Sequence, residues 1–170
     1  MENKSENPLL VTKLLEQVTS SWMAQAIYVA AELNIADLLS EGPQSSKELA
    51  DITGSHEPSL YRLLRALPTI EICKECGDGI FEITPMGLHL RTDDPQSLRY
   101  SIRWWGSNLW KTWGELLYSI KTGESARKRL AGTSGFKHLE RDPEAAEIFN
   151  RSLIALPRIA AESVSRAYAF

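Results

Sequence analysis

Apolar residues recur every fourth position near the start of the chain, where Leu10, Leu14, Val18, Trp22 and Ala26 form one helical stripe. Asn7 followed by Pro8 is a cap and first-turn pair, so helical segments are predicted over most of residues 8 to 40. Leu9, Leu15, Met23, Ile27, Leu33, Ile35 and Leu39 lie off that stripe. More than one face is therefore apolar, and a single layer of protein behind it cannot hide them all. The surplus implies association with a second copy.

A different rhythm follows. Ser45 and Glu48 have the spacing of a capping box, opening a short helix through Ala50 and Ile52, with Gly54 where a C-cap glycine belongs. Ser55 is the expected cap of the next helix, whose apolar face is Leu60, Leu63, Leu64 and Leu67. Pro68 biases Leu67 away from helical geometry and predicts a stop there. Ile70 and Ile72, then Gly77, Asp78 and Gly79, then Phe81 and Ile83, predict a small hairpin. Residues 45 to 84 thus read as a winged helix-turn-helix.

Thr84 and Pro85 are expected to start a short helix, and further helices are expected near 95–105, 109–121 and 143–168. Gly123 ends the second of these three, and Asp142 with Pro143 opens the third. The fold class is mainly α, with a winged helix-turn-helix and a small β-hairpin. Residues 1–170 are read as one domain, made of N-terminal helices over 1–40, the winged helix over 45–84 and a helical segment over 95–168.

Composition narrows the picture. A chain of 170 residues, 43% hydrophobic and 24% charged, suffices for one core. No run approaches the ~18 apolar residues of a membrane span, and the N-terminus lacks the basic-then-apolar order of a signal peptide. A cytoplasmic protein without a membrane partner is expected.

Charge is unevenly spread. Residues 1–98 hold 7 Lys and Arg against 15 Asp and Glu, residues 99–141 hold 9 against 3, and residues 142–170 hold 3 against 4. A winged helix can read DNA, and here its second helix would offer His56, Glu57, Tyr61, Arg62 and Arg65. The acidic balance of that half opposes phosphate binding, and Glu71, Glu75, Asp78 and Glu82 crowd the wing. No nucleic acid partner is expected, and a winged-helix transcription regulator is the least supported reading. The run Arg127, Lys128, Arg129 suits either an acidic partner or a solvated face.

Cys73 and Cys76 form a lone C-x-x-C, and no second pair completes four zinc ligands even if His56 or His89 is added. No metal site is expected. Nucleotide-binding glycine motifs, H-E-x-x-H and G-x-S-x-G are all missing from the sequence, and His138 has no evident acid or nucleophile beside it. Catalytic residues are therefore expected to be none. The aromatic cluster stands out: Trp104, Trp105, Trp110 and Trp113 fall within ten positions. Trp110 and Trp113 share a helix face and can floor a flat apolar pocket or pack in a core.

The stretches AQAIYVAAELNIADLLSEGPQSSKELADITGSHEPSLYRLLRAL, GDGIFEITPMGLHLRTDDPQSLR, WKTWGELLYSIKTGE, FKHLERDPEAAEIFNRSL and RAYAF occur in that order. In order and spacing the chain resembles the N-terminal dimerisation domain of S-adenosylmethionine-dependent O-methyltransferases of the plant caffeate and bacterial polyketide type. The resemblance implies a helical domain that interlocks in a homodimer and walls the pocket of an aromatic or polyketide small-molecule acceptor. It also implies that S-adenosylmethionine belongs to a Rossmann-like domain following this one. That domain is expected to be absent from this chain, which would rely on a separate SAM-binding domain and bind no cofactor itself.

By the same resemblance, Ser21 marks where the N-terminal helix reaches the partner's site, and Trp113 lies in a W-G-x-L-L segment lining the acceptor pocket. Phe149, Asn150 and Leu153 match the family's F-N-x-x-M, with leucine for methionine. The expected substrate-binding set is Ser21, Trp110, Trp113, Phe149, Asn150 and Leu153. Departures from the family pattern occur at Pro68, Glu71 and Arg127. A stand-alone, non-catalytic protein that binds an aromatic ligand or regulates a partner is the alternative reading.

Overall fold

The computed structural model describes residues 8–132 and 136–168. The expected cap Asn7 lies outside them. Helix α1 (Pro8–Glu32) and helix α2 (Ile35–Ser40) are separated by Asn34, whose φ of 57° is a left-handed break. α1 buries only Ala30 and Ala31 fully, because its last turns alone reach the rest of the protein.

Strand β1 (Gln44–Ser45) leads directly into α3 (Ser46–Thr53). The capping box is formed: Ser45 Oγ accepts from the Glu48 amide, and Glu48 Oε2 accepts from the Ser45 amide at 2.8 Å. Gly54 closes α3 in left-handed geometry at φ 64°. α4 (Glu57–Ala66) is preceded by His56, not Ser55, at its N-cap. Ser55 Oγ accepts instead from Thr53 Oγ1 at 2.8 Å, which leaves the α4 amides without a side-chain cap.

The α-helix does stop ahead of Pro68, with Leu67 as the C-cap of α4, but Leu67 is not pushed out of helical geometry. Leu67 stays right-handed at φ −63°, ψ −33°, and the chain tightens into a 3₁₀ turn, Leu67–Ile70. A proline in the first turn lacks only a donor that has no partner there, and complete burial of Leu67 outweighs the pre-proline bias. Glu71, at φ 58°, makes the reversal.

The wing is β2 (Cys73–Gly77) against β3 (Ile80–Ile83), antiparallel, with a bulge between Glu75 and Gly77. Ile70 and Ile72 therefore precede the first strand instead of belonging to it. β1 pairs with the other edge of β3, Gln44 opposite Phe81, giving the order β1-β3-β2. This two-residue strand is too short to leave a period-two pattern. Leu39, Leu49, Leu64, Leu67 and Phe81 are fully buried between the helices and this sheet. The helix expected at Thr84 is a 3₁₀ turn, Gly87–Leu90, and Gly87 is required there because a Cβ would stand 2.0 Å from the Ile72 carbonyl oxygen.

The second half begins with α5 (Arg99–Trp104), which runs through a π turn (Trp105–Leu109) into α6 (Trp110–Gly114). The two helices expected over 95–105 and 109–121 are thus joined without a loop. α7 (Leu116–Thr122) ends at Gly123, then follow α8 (Ala126–Ala131), a 3₁₀ turn (Lys137–Arg141) and α9 (Pro143–Ala167). Asp142 caps α9 by accepting from the Ala145 amide. Among the described residues no helix is long and apolar enough to cross a membrane.

Two arginines of α5 fasten it to α1. Arg99, 6% exposed, donates to the Ala31 carbonyl at 3.0 Å and to the Asn34 side chain. Arg103 grips Glu32 with two hydrogen bonds, 2.9 and 2.7 Å, and reaches Glu144 of α9 at 3.3 Å. The Glu32 carboxyl is held below its ordinary range chiefly by the hydrogen bonds from Arg103.

Candidate functional site

The fold opens a cavity of about 550 Å³ between α1 and the α5–α6 helix. Ala24, Gln25 and Ile27 form one wall, and Trp105, Trp110 and Trp113 form the other. The π turn places three indoles along this wall by inserting one residue into the helical repeat, a distortion often found at functional sites. Gly106 lets the turn touch Tyr28, and Gln25 Nε2 donates to the Gly106 carbonyl at 3.2 Å.

None of the described residues lining it is titratable, so this wall offers apolar and amide contacts and no proton-transfer group. Its chemistry is that of flat apolar rings, which favour a planar apolar guest by stacking or edge contact. The indoles are not core residues: Trp105, Trp110 and Trp113 are 42%, 43% and 65% exposed.

Of the expected substrate-binding set, the structure brings Trp110 and Trp113 together in this cavity. Ser21 is half-buried one turn ahead of Ala24, with its hydroxyl donating to the Val18 carbonyl at 2.8 Å. Phe149 lies elsewhere, its ring 4.9 Å from both Trp104 and Phe136 in a second small core. Asn150 and Leu153 are exposed on α9. Trp104, which the sequence groups with the other tryptophans, is 4% exposed and belongs to that second core. Gly106 and Gln25 escape the sequence reading, because nothing in the linear pattern marks a glycine as the floor of a helix contact.

Residues 15–92 match the model of the O-methyltransferase dimerisation domain. The chain belongs to that family. Over 157 residues, 92% of this chain, it is 38% identical to phenazine O-methyltransferase PhzM of Lysobacter antibioticus, of which it spans 46%. It is 33% identical to the mitomycin biosynthesis 6-O-methyltransferase of Streptomyces lavendulae, with all of this chain and 51% of that protein aligned. The crystal structure of LaPhzM superposes with a TM-score of 0.88 at 38% identity, covering 95% of this chain and 48% of that one. The chain thus spans about half the length of the curated relatives it matches.

The described residues of this dimerisation domain do not fit S-adenosylmethionine. Its three-stranded sheet is antiparallel throughout, so no parallel strand ends in the glycine turn that approaches such a cofactor. The cysteines of the domain do not converge on one site either: Cys73 is buried, with its thiol donating to the Leu64 carbonyl, while Cys76 is exposed beside Glu82. The histidines named as further ligands are engaged elsewhere, His56 with Ser59 Oγ at 3.0 Å and His89 with Asp94 at 2.6 Å.

Proposed function

We propose that this domain pairs two copies of an S-adenosylmethionine-dependent O-methyltransferase and walls the pocket of a planar aromatic acceptor. One observation carries the reading. Along the N-terminal part of α1, Leu10, Val11, Leu14, Leu15, Val18 and Trp22 are 59–73% exposed, and the same helix ends in the indole-lined cavity. A helix with so broad an apolar face is stable only when other helices cover that face. A second copy supplies them, and an interlocked pair buries upward of ~2,000 Å². The relatives named for phenazine and mitomycin methylation support a flat acceptor. The methyl donor would sit on a separate domain.

Two measurements test this. Sedimentation of the chain at micromolar concentration is expected to give a dimer, and Leu14→Glu with Trp22→Glu a monomer; a stable wild-type monomer overturns the pairing. In the intact methyltransferase, Trp113→Ala is expected to raise the acceptor KM and leave cofactor affinity unchanged. An unchanged acceptor KM overturns the pocket.

A further inference from the structure

On the other side of α6 lies a second cavity of about 240 Å³, between α6, α8 and the Lys137–Arg141 turn. We propose that it binds a small organic carboxylate with an apolar body, independently of the indole-lined cavity. Lys111 and Arg127 both line it, and among the described residues neither has a carboxylate within ion-pair distance. These are two of the cations behind the basic balance of residues 99–141.

Arg127 is half-buried and oriented by aromatic rings, with no hydrogen-bond acceptor or carboxylate holding it among the described residues. Its guanidinium lies 5.2 Å from the centre of the Phe136 ring and 6.0 Å from that of Trp104. Such contacts orient a cation but accept none of its N–H protons through a lone pair, so its planar donor fork stays available for a carboxylate. His138 lines the same cavity and keeps its Nδ1 buried with no hydrogen-bond partner among the described residues. A buried polar atom left this way is costly unless a guest or water meets it.

The remaining lining decides which anion fits. Asp142 stands at the rim with one carboxylate oxygen committed to the α9 cap, so two cations face one acid and the site carries a single net positive charge. That balance suits a monoanion and disfavours a phosphate dianion. Leu130 and Ala131 complete the wall, giving an apolar body something to cover.

Titration calorimetry of the whole chain with benzoate, benzamide and inorganic phosphate tests the site. Benzoate is expected to bind about tenfold or more tightly than benzamide, and Lys111→Met and Arg127→Met each to weaken benzoate about tenfold. Trp113→Ala is expected to leave benzoate affinity unchanged, which separates this site from the proposed acceptor cavity. Equal binding of benzamide, tighter binding of phosphate, or loss of benzoate with Trp113→Ala overturns the proposal. Should Arg127→Met fail to fold, the exposed Lys111→Met decides alone: retained affinity refutes the site, and about tenfold loss supports it.

Discussion

Gly106 lies against Tyr28 so closely that a Cβ on Gly106 would stand 2.2 Å from Tyr28 Cγ. The aromatic ring is anchored in α1 and the glycine in the π turn, so neither backbone can give way without parting the two walls of the cavity. Gly106→Ala is therefore expected to cost about 1–3 kcal/mol, the usual penalty of overpacking, and to lower the melting temperature by several degrees. Gly114, with nothing within 4 Å of its missing Cβ, is the control. Gly114→Ala on the same helix should be neutral or raise stability by up to about 1 kcal/mol. Thermal unfolding followed by circular dichroism reads both; equal behaviour of the two variants would show that the Tyr28 contact does not constrain the fold.

The Arg103–Glu32 clamp has a pH signature. Glu32 has a folded-state pKa below its ordinary 4.5, chiefly through the hydrogen bonds from Arg103. Its contribution is therefore complete above the unfolded-state value and fades as pH falls through the depressed folded value. Glu32→Gln is expected to cost about 1–2 kcal/mol at pH 7, a modest figure because Glu32 is partly exposed. The gap to wild type should narrow on acidification below about pH 4.5. Urea midpoints measured from pH 3 to 7 check this, and a gap that widens in acid contradicts it.

The two thiols should behave oppositely despite their C-x-x-C spacing. Burial, followed by the nearby Glu75 carboxylate and Cys76, pushes Cys73 up to about 12, so its reactive thiolate is scarce at neutral pH. Cys76 is exposed on the wing, and partial desolvation with the adjacent Glu82 also raises its pKa. A disulfide-exchange reagent at pH 8 is expected to label one thiol per folded chain, slowly, and the second only after denaturation. Rapid labelling of both in the native protein would contradict the burial of Cys73.

Trp104 and Trp113 sit nine positions apart and should separate on truncation. Trp104 is 4% exposed and packs on Phe149, so Trp104→Ala is expected to cost about 3–5 kcal/mol. Trp113 is 65% exposed, so Trp113→Ala should stay within about 1 kcal/mol of wild type. Chemical denaturation of the two variants measures the difference. A large loss with Trp113→Ala would mark that indole as a packing residue.

What was legible in the sequence is what local chemistry decides. The Ser45–Glu48 box, Gly54, Gly123 and the Asp142–Pro143 start all sit where the pattern places them, because caps depend on residues within three or four positions. The apolar load of α1 was equally plain, since a helix displays its stripe whatever surrounds it. Other features needed the folded chain. Leu67 keeps helical geometry ahead of Pro68 because the core buries it, and β1 exists only because β3 offers it an edge. Family resemblance, with helix spacing for Trp110 and Trp113, grouped six residues as substrate-binding, and the structure gathers Trp110 and Trp113 with Gln25 and Gly106 and packs Phe149 on Trp104. A π turn shifts every later side chain around the helix by roughly one residue's rotation. Linear spacing records neither that shift nor the glycine contact that sets it against α1, so the cavity's walls were decided by packing between residues some eighty positions apart.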